Sequence, residues 1–162
     1  MNNTNVKVEP GKHEIIITHM FDAPRDLVFK LYTNPELIPQ WWGPRRLTTM
    51  VDRMETRSGG QWRFVQHDQD GKEFAFQGVY HEIKEPERVV STFEWEGMPG
   101  HVLMETIVFD DMNGRTRVTD SSVFQTVEDR DGMVKTGMEE GSYESGERFA
   151  EVLTKIREGV RK

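Results

Sequence analysis

The chain has 162 residues, enough at roughly 150 residues per domain for one domain with a single substantial core. Its 28 acidic against 21 basic residues leave a formal charge of −7, which repels phosphate backbones and anionic lipid heads and argues against nucleic acid and membrane surfaces as partners. The absence of cysteine excludes a disulfide framework, a thiol nucleophile and a cysteine-based zinc site; with neither an export signal nor a run of about 18 apolar residues, the reading is a cytoplasmic protein.

Residues 1–11 are polar and aperiodic and read as a flexible leader, so the single domain is expected over 12–162. The β-branched run Ile15-Ile16-Ile17-Thr18 makes a strand that stops at Asp22-Ala23-Pro24, where Asp22 can cap a helix with proline in its first turn. That helix carries Leu27, Val28 and Leu31 on one side. Asn34-Pro35 then opens a second, short helix through Ile38, broken by Pro39 and Gly43-Pro44. From Arg46 to Phe124 short apolar segments alternate with turn chemistry, including Asp70-Gly71 and Asn113-Gly114, which favour tight hairpins. Six strands are expected near 46–54, 60–67, 73–83, 88–96, 102–110 and 115–124.

After Phe124 the period changes. Val127 to Gly137 reads as a short helix, and Met138, Ser142, Ser145, Phe149, Val152, Leu153, Ile156 and Val160 recur at three- and four-residue steps as one long amphipathic helix. The order predicts an α+β domain: a curved seven-stranded antiparallel sheet, two short helices after the first strand, and the last helix over the sheet's apolar face.

Alternation places Trp62, Phe64, Phe76, Tyr80, Phe93 and Trp95 on one side of the sheet, together with Leu103, Ile107 and Phe109. The last helix opposes this side with Gly141, Ser142, Ser145 and Gly146 in its first half and Phe149, Val152, Leu153 and Ile156 in its second. Each interior glycine costs about 1 kcal/mol against alanine, so close approach or room for something else must offset it. A cavity under the first half of the helix follows as the expectation. Gln66, Glu105, Asp120 and Ser122 share the inward phase. Glu105 and Asp120 either pair with Arg63 or Arg117, or sit in the cavity as ligand-orienting or acid-base groups.

No catalytic constellation declares itself, and no cofactor motif is present. The five histidines lack metal-ligand spacing, His67 to Gly71 reads as a turn rather than a calcium loop, and Ser58-Gly59-Gly60 lacks the lysine and helix of a phosphate loop. In Trp41-Trp42 neighbouring side chains point apart, so one is expected in the core and the other at the cavity mouth. Arg45 and Arg46 beside them read as solvated or as an anion attractant. Met104, Met133 and Met138 read as adaptable lining or lid.

Trp41-Trp42-Gly43-Pro44, Arg57-Ser58-Gly59-Gly60-Gln61-Trp62-Arg63-Phe64, Gly78-Val79-Tyr80-His81-Glu82-Ile83 and Pro86-Glu87-Arg88-Val89-Val90 occur in this order, followed by Arg130-Asp131-Gly132-Met133 and Gly137-Met138-Glu139-Glu140-Gly141. Together they resemble the activator-of-Hsp90-ATPase-homologue-1-like family of the START-like (SRPBCC), helix-grip superfamily, over about Glu14 to Glu158. The resemblance implies a sheet gripping a long C-terminal helix around a hydrophobic cavity, in a superfamily of lipid carriers, hormone receptors, polyketide aromatases and cyclases and a co-chaperone domain. Hsp90 activators resemble this chain only in their C-terminal domain, so a chaperone partner ranks last.

The expected function is binding of a small hydrophobic molecule, aromatic or polycyclic, by a monomer or homodimer. Trp62, Phe76, Phe93, Trp95, Met138 and Tyr143 would form walls. Trp42, Phe64, Tyr80, Ser142 and Ser145 complete the expected lining, and Glu105, Asp120 and the Tyr143 hydroxyl would orient polar groups. The rival is an aromatase/cyclase-like enzyme using Glu105 or Asp120 as acid or base.

Overall fold

The computed structural model describes residues 3–161, with side chains as far as residue 159. The elements in chain order are β1 (Thr4–Lys7), β2 (Glu14–Phe21), α1 (Arg25–Thr33), α2 (Ile38–Trp41), β3 (Thr48–Met54), β4 (Gln61–His67), β5 (Glu73–Lys84), β6 (Arg88–Trp95), β7 (Val102–Met112), β8 (Arg115–Val123), α3 (Val127–Lys135) and α4 (Met138–Arg161). The strands form one antiparallel sheet in the order β1-β2-β8-β7-β6-β5-β4-β3.

The sheet has eight strands, not the seven expected. The addition is β1, which lies inside the stretch read as a leader and pairs along β2 from Thr4↔His19 to Lys7↔Ile16. Thr4, Val6 and Val8 turn inward while the residues between them stay exposed. Val6 and Val8 pack against the cluster of Ile15, Leu103 and Phe124. Strand β1 thus hydrogen-bonds an edge of β2 that would otherwise be open to water and to other chains.

Two other local expectations change. Pro24, not Asp22, precedes the first turn of α1, and no side chain caps it. Asn34 to Leu37 form a hydrogen-bonded turn, and α2 starts only at Ile38 with Pro39 in its first turn, where a missing N–H removes no helical bond. The Asn113-Gly114 hairpin forms as expected, both residues at positive φ between β7 and β8.

The inner face of the sheet meets α1, α2 and α4. Phe149 of α4 is the hub of one half of the core, stacked on Phe21 at 4.3 Å and edge-on to Trp41 at 4.8 Å, with Tyr32 at 5.1 Å. Val152 and Leu153 continue this buried stripe; the side chain of Val160, expected on it, lies outside the described residues. Toward its N-terminus the stripe turns into Ser145, Ser142 and Gly141, and there the helix stands over space rather than over packed side chains.

Candidate functional site

Between the first half of α4 and the sheet lies a cavity of about 320 Å³. Its roof is Met138, Gly141, Ser142 and Ser145, which fall on one helical stripe at i, i+3, i+4 and i+7. No atom lies within 4 Å of the place a Gly141 Cβ would take, so that glycine faces open space. A Cβ on Gly146 would lie 2.5 Å from Thr4 Oγ1 and 3.1 Å from His19 Nδ1, so this second glycine is a point of close contact with β1 and β2. The two readings of the helical glycines are both realised, one at each residue.

The side wall is the Trp41-Trp42-Gly43-Pro44 segment, held by polar contacts to α4. Ser145 Oγ donates to the Trp41 carbonyl at 3.0 Å, and the Arg148 guanidinium donates to the Gly43 carbonyl at 2.8 Å and to the Pro39 carbonyl at 3.3 Å. Arg45, a candidate anion attractant, is instead paired with Glu151 at 2.6 Å. Trp41 is buried and donates its indole N–H to the Leu31 carbonyl, while Trp42 is half-buried and packs edge-on to Phe64 and Phe76. Gly43 has φ near 91°, and its missing Cβ makes room for the Gln66 amide.

The floor combines aromatic rings with a polar row. Trp62 lies across Gly78, where a Cβ would strike its indole nitrogen, and donates to the Thr92 carbonyl at 3.2 Å. Cross-strand register then aligns Tyr80 with Ser91, Ser91 with Glu105, and Glu105 with Ser122, all on the cavity side. Asp120 sits in the next row, opposite Ile107 and Ile17. Ser91 is 4% and Tyr80 6% exposed, and neither hydroxyl has a hydrogen-bond partner among the described residues. As no fully enclosed side-chain oxygen is left unsatisfied, both hydroxyls owe their residual accessibility to the cavity they line.

The two carboxyls do not pair with arginine. Arg63 is taken by Glu96 at 2.7 Å and Asp52 at 3.3 Å, and Arg117 by Asp110 at 3.4 Å. Asp120 and Glu105 are close enough to interact, and Ser122 donates to Asp120 at 3.4 Å. Burial first, and the Glu105 charge second, push the Asp120 carboxyl well above the ordinary range, which favours its neutral form. Burial first, and the acidic neighbours Asp120 and Glu105 after it, raise the Tyr32 phenol, and burial with Glu105 raises Tyr80. His19 accepts or donates at Nδ1 with Thr4 Oγ1 at 2.8 Å, and burial lowers its pKa to about 4, leaving the ring neutral at pH 7.

Of the expected lining, Trp42, Trp62, Phe64, Tyr80, Phe93 and Met138 border this cavity, as do Ser142 and Ser145. Phe76 stands behind the wall, against Trp42 and Phe93. Tyr143 lies about 100° around the helix from Ser142, off the roof stripe, and its hydroxyl donates to Glu139 at 3.2 Å. Met104 is on the outer face, 48% exposed. Trp95 is 37% exposed at the strand end and lines a separate groove of about 610 Å³ under α3, with Met98, His101 and Met133. A chamber of about 110 Å³ adjoins both spaces, sharing Glu105 and Met138 with the cavity and Leu103 and Met133 with the groove. Tyr32, His19 and Ser91 were not anticipated. Ser91 shares the phase of Val89 and Phe93, His19 that of Ile15 and Ile17, and Tyr32 follows Val28 by one turn, so periodicity held the signal for all three.

Residues 22–154 match the family model described as activator of Hsp90 ATPase homolog 1-like protein. Protein Ms6760 from Mycobacterium smegmatis superposes with a TM-score of 0.84 at 22% identity, over 93% of this chain and 96% of that one. A protein from Arthrobacter aurescens gives 0.86 at 25% identity, over 93% and 91%. A Silicibacter pomeroyi protein bearing the same family name gives 0.72 at 19%, over 87% and 97%. No curated protein matches the sequence.

Proposed function

The chain belongs to the activator of Hsp90 ATPase homolog 1-like family, and we propose that this member binds a small hydrophobic molecule, aromatic or polycyclic, between its sheet and its last helix. The observation that carries this reading is an aromatic-walled cavity of about 320 Å³ in which the Tyr80 and Ser91 hydroxyls are buried without a protein partner. Buried hydroxyls are normally satisfied, so the two are donors and acceptors held ready for a ligand group. Few polar groups and extensive ring surface suit a rigid apolar body with one or two polar substituents.

Ser145→Phe tests the reading. The added ring occupies the space under α4, at the loss of the bond to the Trp41 carbonyl, worth about 1 kcal/mol. Native mass spectrometry of the protein from its source organism is expected to find a retained small molecule in the wild type and none in the variant, with the circular dichroism of both unchanged. Equal retention by the variant would move the binding site elsewhere.

A second reading rests on Asp120 beside Glu105. Two neighbouring carboxyls, of which burial favours the neutral form of Asp120, can serve as acid and base toward a bound ketone, the arrangement an isomerase or cyclase uses. Turnover of a polyketone, lost in Glu105→Gln, would favour it; binding without turnover would leave the carrier reading.

A further inference from the structure

The charge inside the cavity is one-sided. Two carboxyls, Glu105 and Asp120, line it, and among the described residues no lysine or arginine does. The adjoining chamber is bordered by Glu105 again and by no basic residue. Four arginines close in sequence to its lining are engaged elsewhere: Arg63 on Glu96 and Asp52, Arg117 on Asp110, Arg45 on Glu151, and Arg148 on backbone carbonyls of the Trp42 segment. The imidazole of His19 is neutral at pH 7 and already engages Thr4. A carboxyl pair with no basic partner therefore stands against an apolar, aromatic wall, where acidic groups are ordinarily paired.

The aromatic part of the wall adds to this sign. The ring faces of Trp42, Trp62, Tyr80 and Phe93 are negative, and ammonium groups are drawn to them. Tyr80 and Ser91 are buried residues whose hydroxyls open onto the cavity and have no hydrogen-bond partner among the described residues, a second and independent feature, and each oxygen can accept a hydrogen bond from an N–H group. We propose that the cavity selects organic cations, with a protonated amine seated between Glu105, Ser91 and Tyr80 and its aromatic body under Gly141 and Ser145. Resting on the cavity reading above, this names its ligand class. Molecules carrying a carboxylate are disfavoured at the same place, because they set like charges together where water cannot screen them.

The test uses three bicyclic probes of one shape: 1-naphthylmethylamine, 1-naphthylmethanol and 1-naphthoate, titrated calorimetrically at pH 7. The amine is expected to bind about tenfold or more tighter than the alcohol, and the carboxylate about tenfold or more weaker than it. In Glu105→Gln the ratio of amine to alcohol affinity falls toward one, whereas Asp120→Asn, which exchanges one neutral group for another, keeps it; if Glu105→Gln fails to melt cooperatively, Glu105→Ser takes its place. Equal affinity for amine and alcohol in the wild type overturns the cation proposal while leaving the cavity as a binding site. So does a preference that survives the loss of the Glu105 carboxyl. If none of the three binds, both this inference and the cavity reading fall.

Discussion

Asp120 shows how an ordinary residue acquires unusual chemistry from its row in a sheet. Its neighbours along the strand pair are Ile107 and Ile17, so water that would solvate a carboxylate is replaced by methyl groups, and Glu105 adds like charge. The folded protein accordingly holds a proton there that the unfolded chain, with its carboxyl near 3.8, releases. Between that value and the raised one the native state binds more protons than the unfolded state, so this group's contribution to stability is largest in acid and declines as pH rises. His19 acts in the opposite sense, because its folded value of about 4 lies below 6.5 and its contribution is lost as pH falls through that window. Asp120→Asn separates the two. Relative to the wild type the variant is expected to gain stability steadily from pH 4 to pH 8 in urea titrations; a difference independent of pH would mean that Asp120 is not the proton-holding member of the pair.

Helix α4 carries two functions in one element, and its two inner glycines distinguish them. At Gly141 an added methyl group meets nothing within 4 Å, so Gly141→Ala is expected to stabilise the protein by up to about 1 kcal/mol through helix propensity alone. At Gly146 the same methyl group lies 2.5 Å from Thr4 Oγ1, whose displacement breaks the 2.8 Å bond to His19, so Gly146→Ala is expected to gain nothing and to destabilise. Thermal melts of the two variants check this, and equal shifts would erase the distinction between open and closed halves of the helix. The period of α4 was legible in the sequence, as was each strand from β2 onward, because turn chemistry such as Asp70-Gly71 and Asn113-Gly114 separates short segments in which apolar residues alternate. Strand β1 was not legible: its inward set is only Thr4, Val6 and Val8, too short an alternation to stand out from a polar leader, and its pairing partner lies in β2, which nothing local announces. Pro39 misled for a related reason, since whether a proline ends a helix or begins one depends on where the preceding turn closes.

At the scale of the whole molecule, a modest complement of large side chains is distributed unevenly, packed around Phe149 at one end of the sheet and withdrawn from the space under Gly141 at the other. The presence of a cavity followed from that unevenness in the helix stripe alone. Its polar equipment did not, because Tyr80, Ser91, Glu105 and Ser122 come from four strands and form a row only through register, which hairpin and bulge geometry determine. The Tyr143 side chain was misplaced for the converse reason: one residue of helix is about 100°, enough to carry a ring from the roof to the outside. A cavity of this kind forgoes dispersion contacts that a filled core would make, and a ligand restores them. Binding to the native state alone stabilises by about 2.7 kcal/mol when the ligand is at a hundred times its dissociation constant. For a domain of this length each kcal/mol moves the midpoint by about 2–4 °C, so saturating 1-naphthylmethanol, a neutral probe independent of the charge argument, is expected to raise the melting temperature by about 5–10 °C. In Ser145→Phe, whose added ring already occupies the space, the melting temperature is expected to be the same with and without the probe. A shift of the wild-type melt that Ser145→Phe shares in full would place the probe outside the core, on the groove beneath α3 or on the surface, and the space under α4 would then be a packing defect rather than a site.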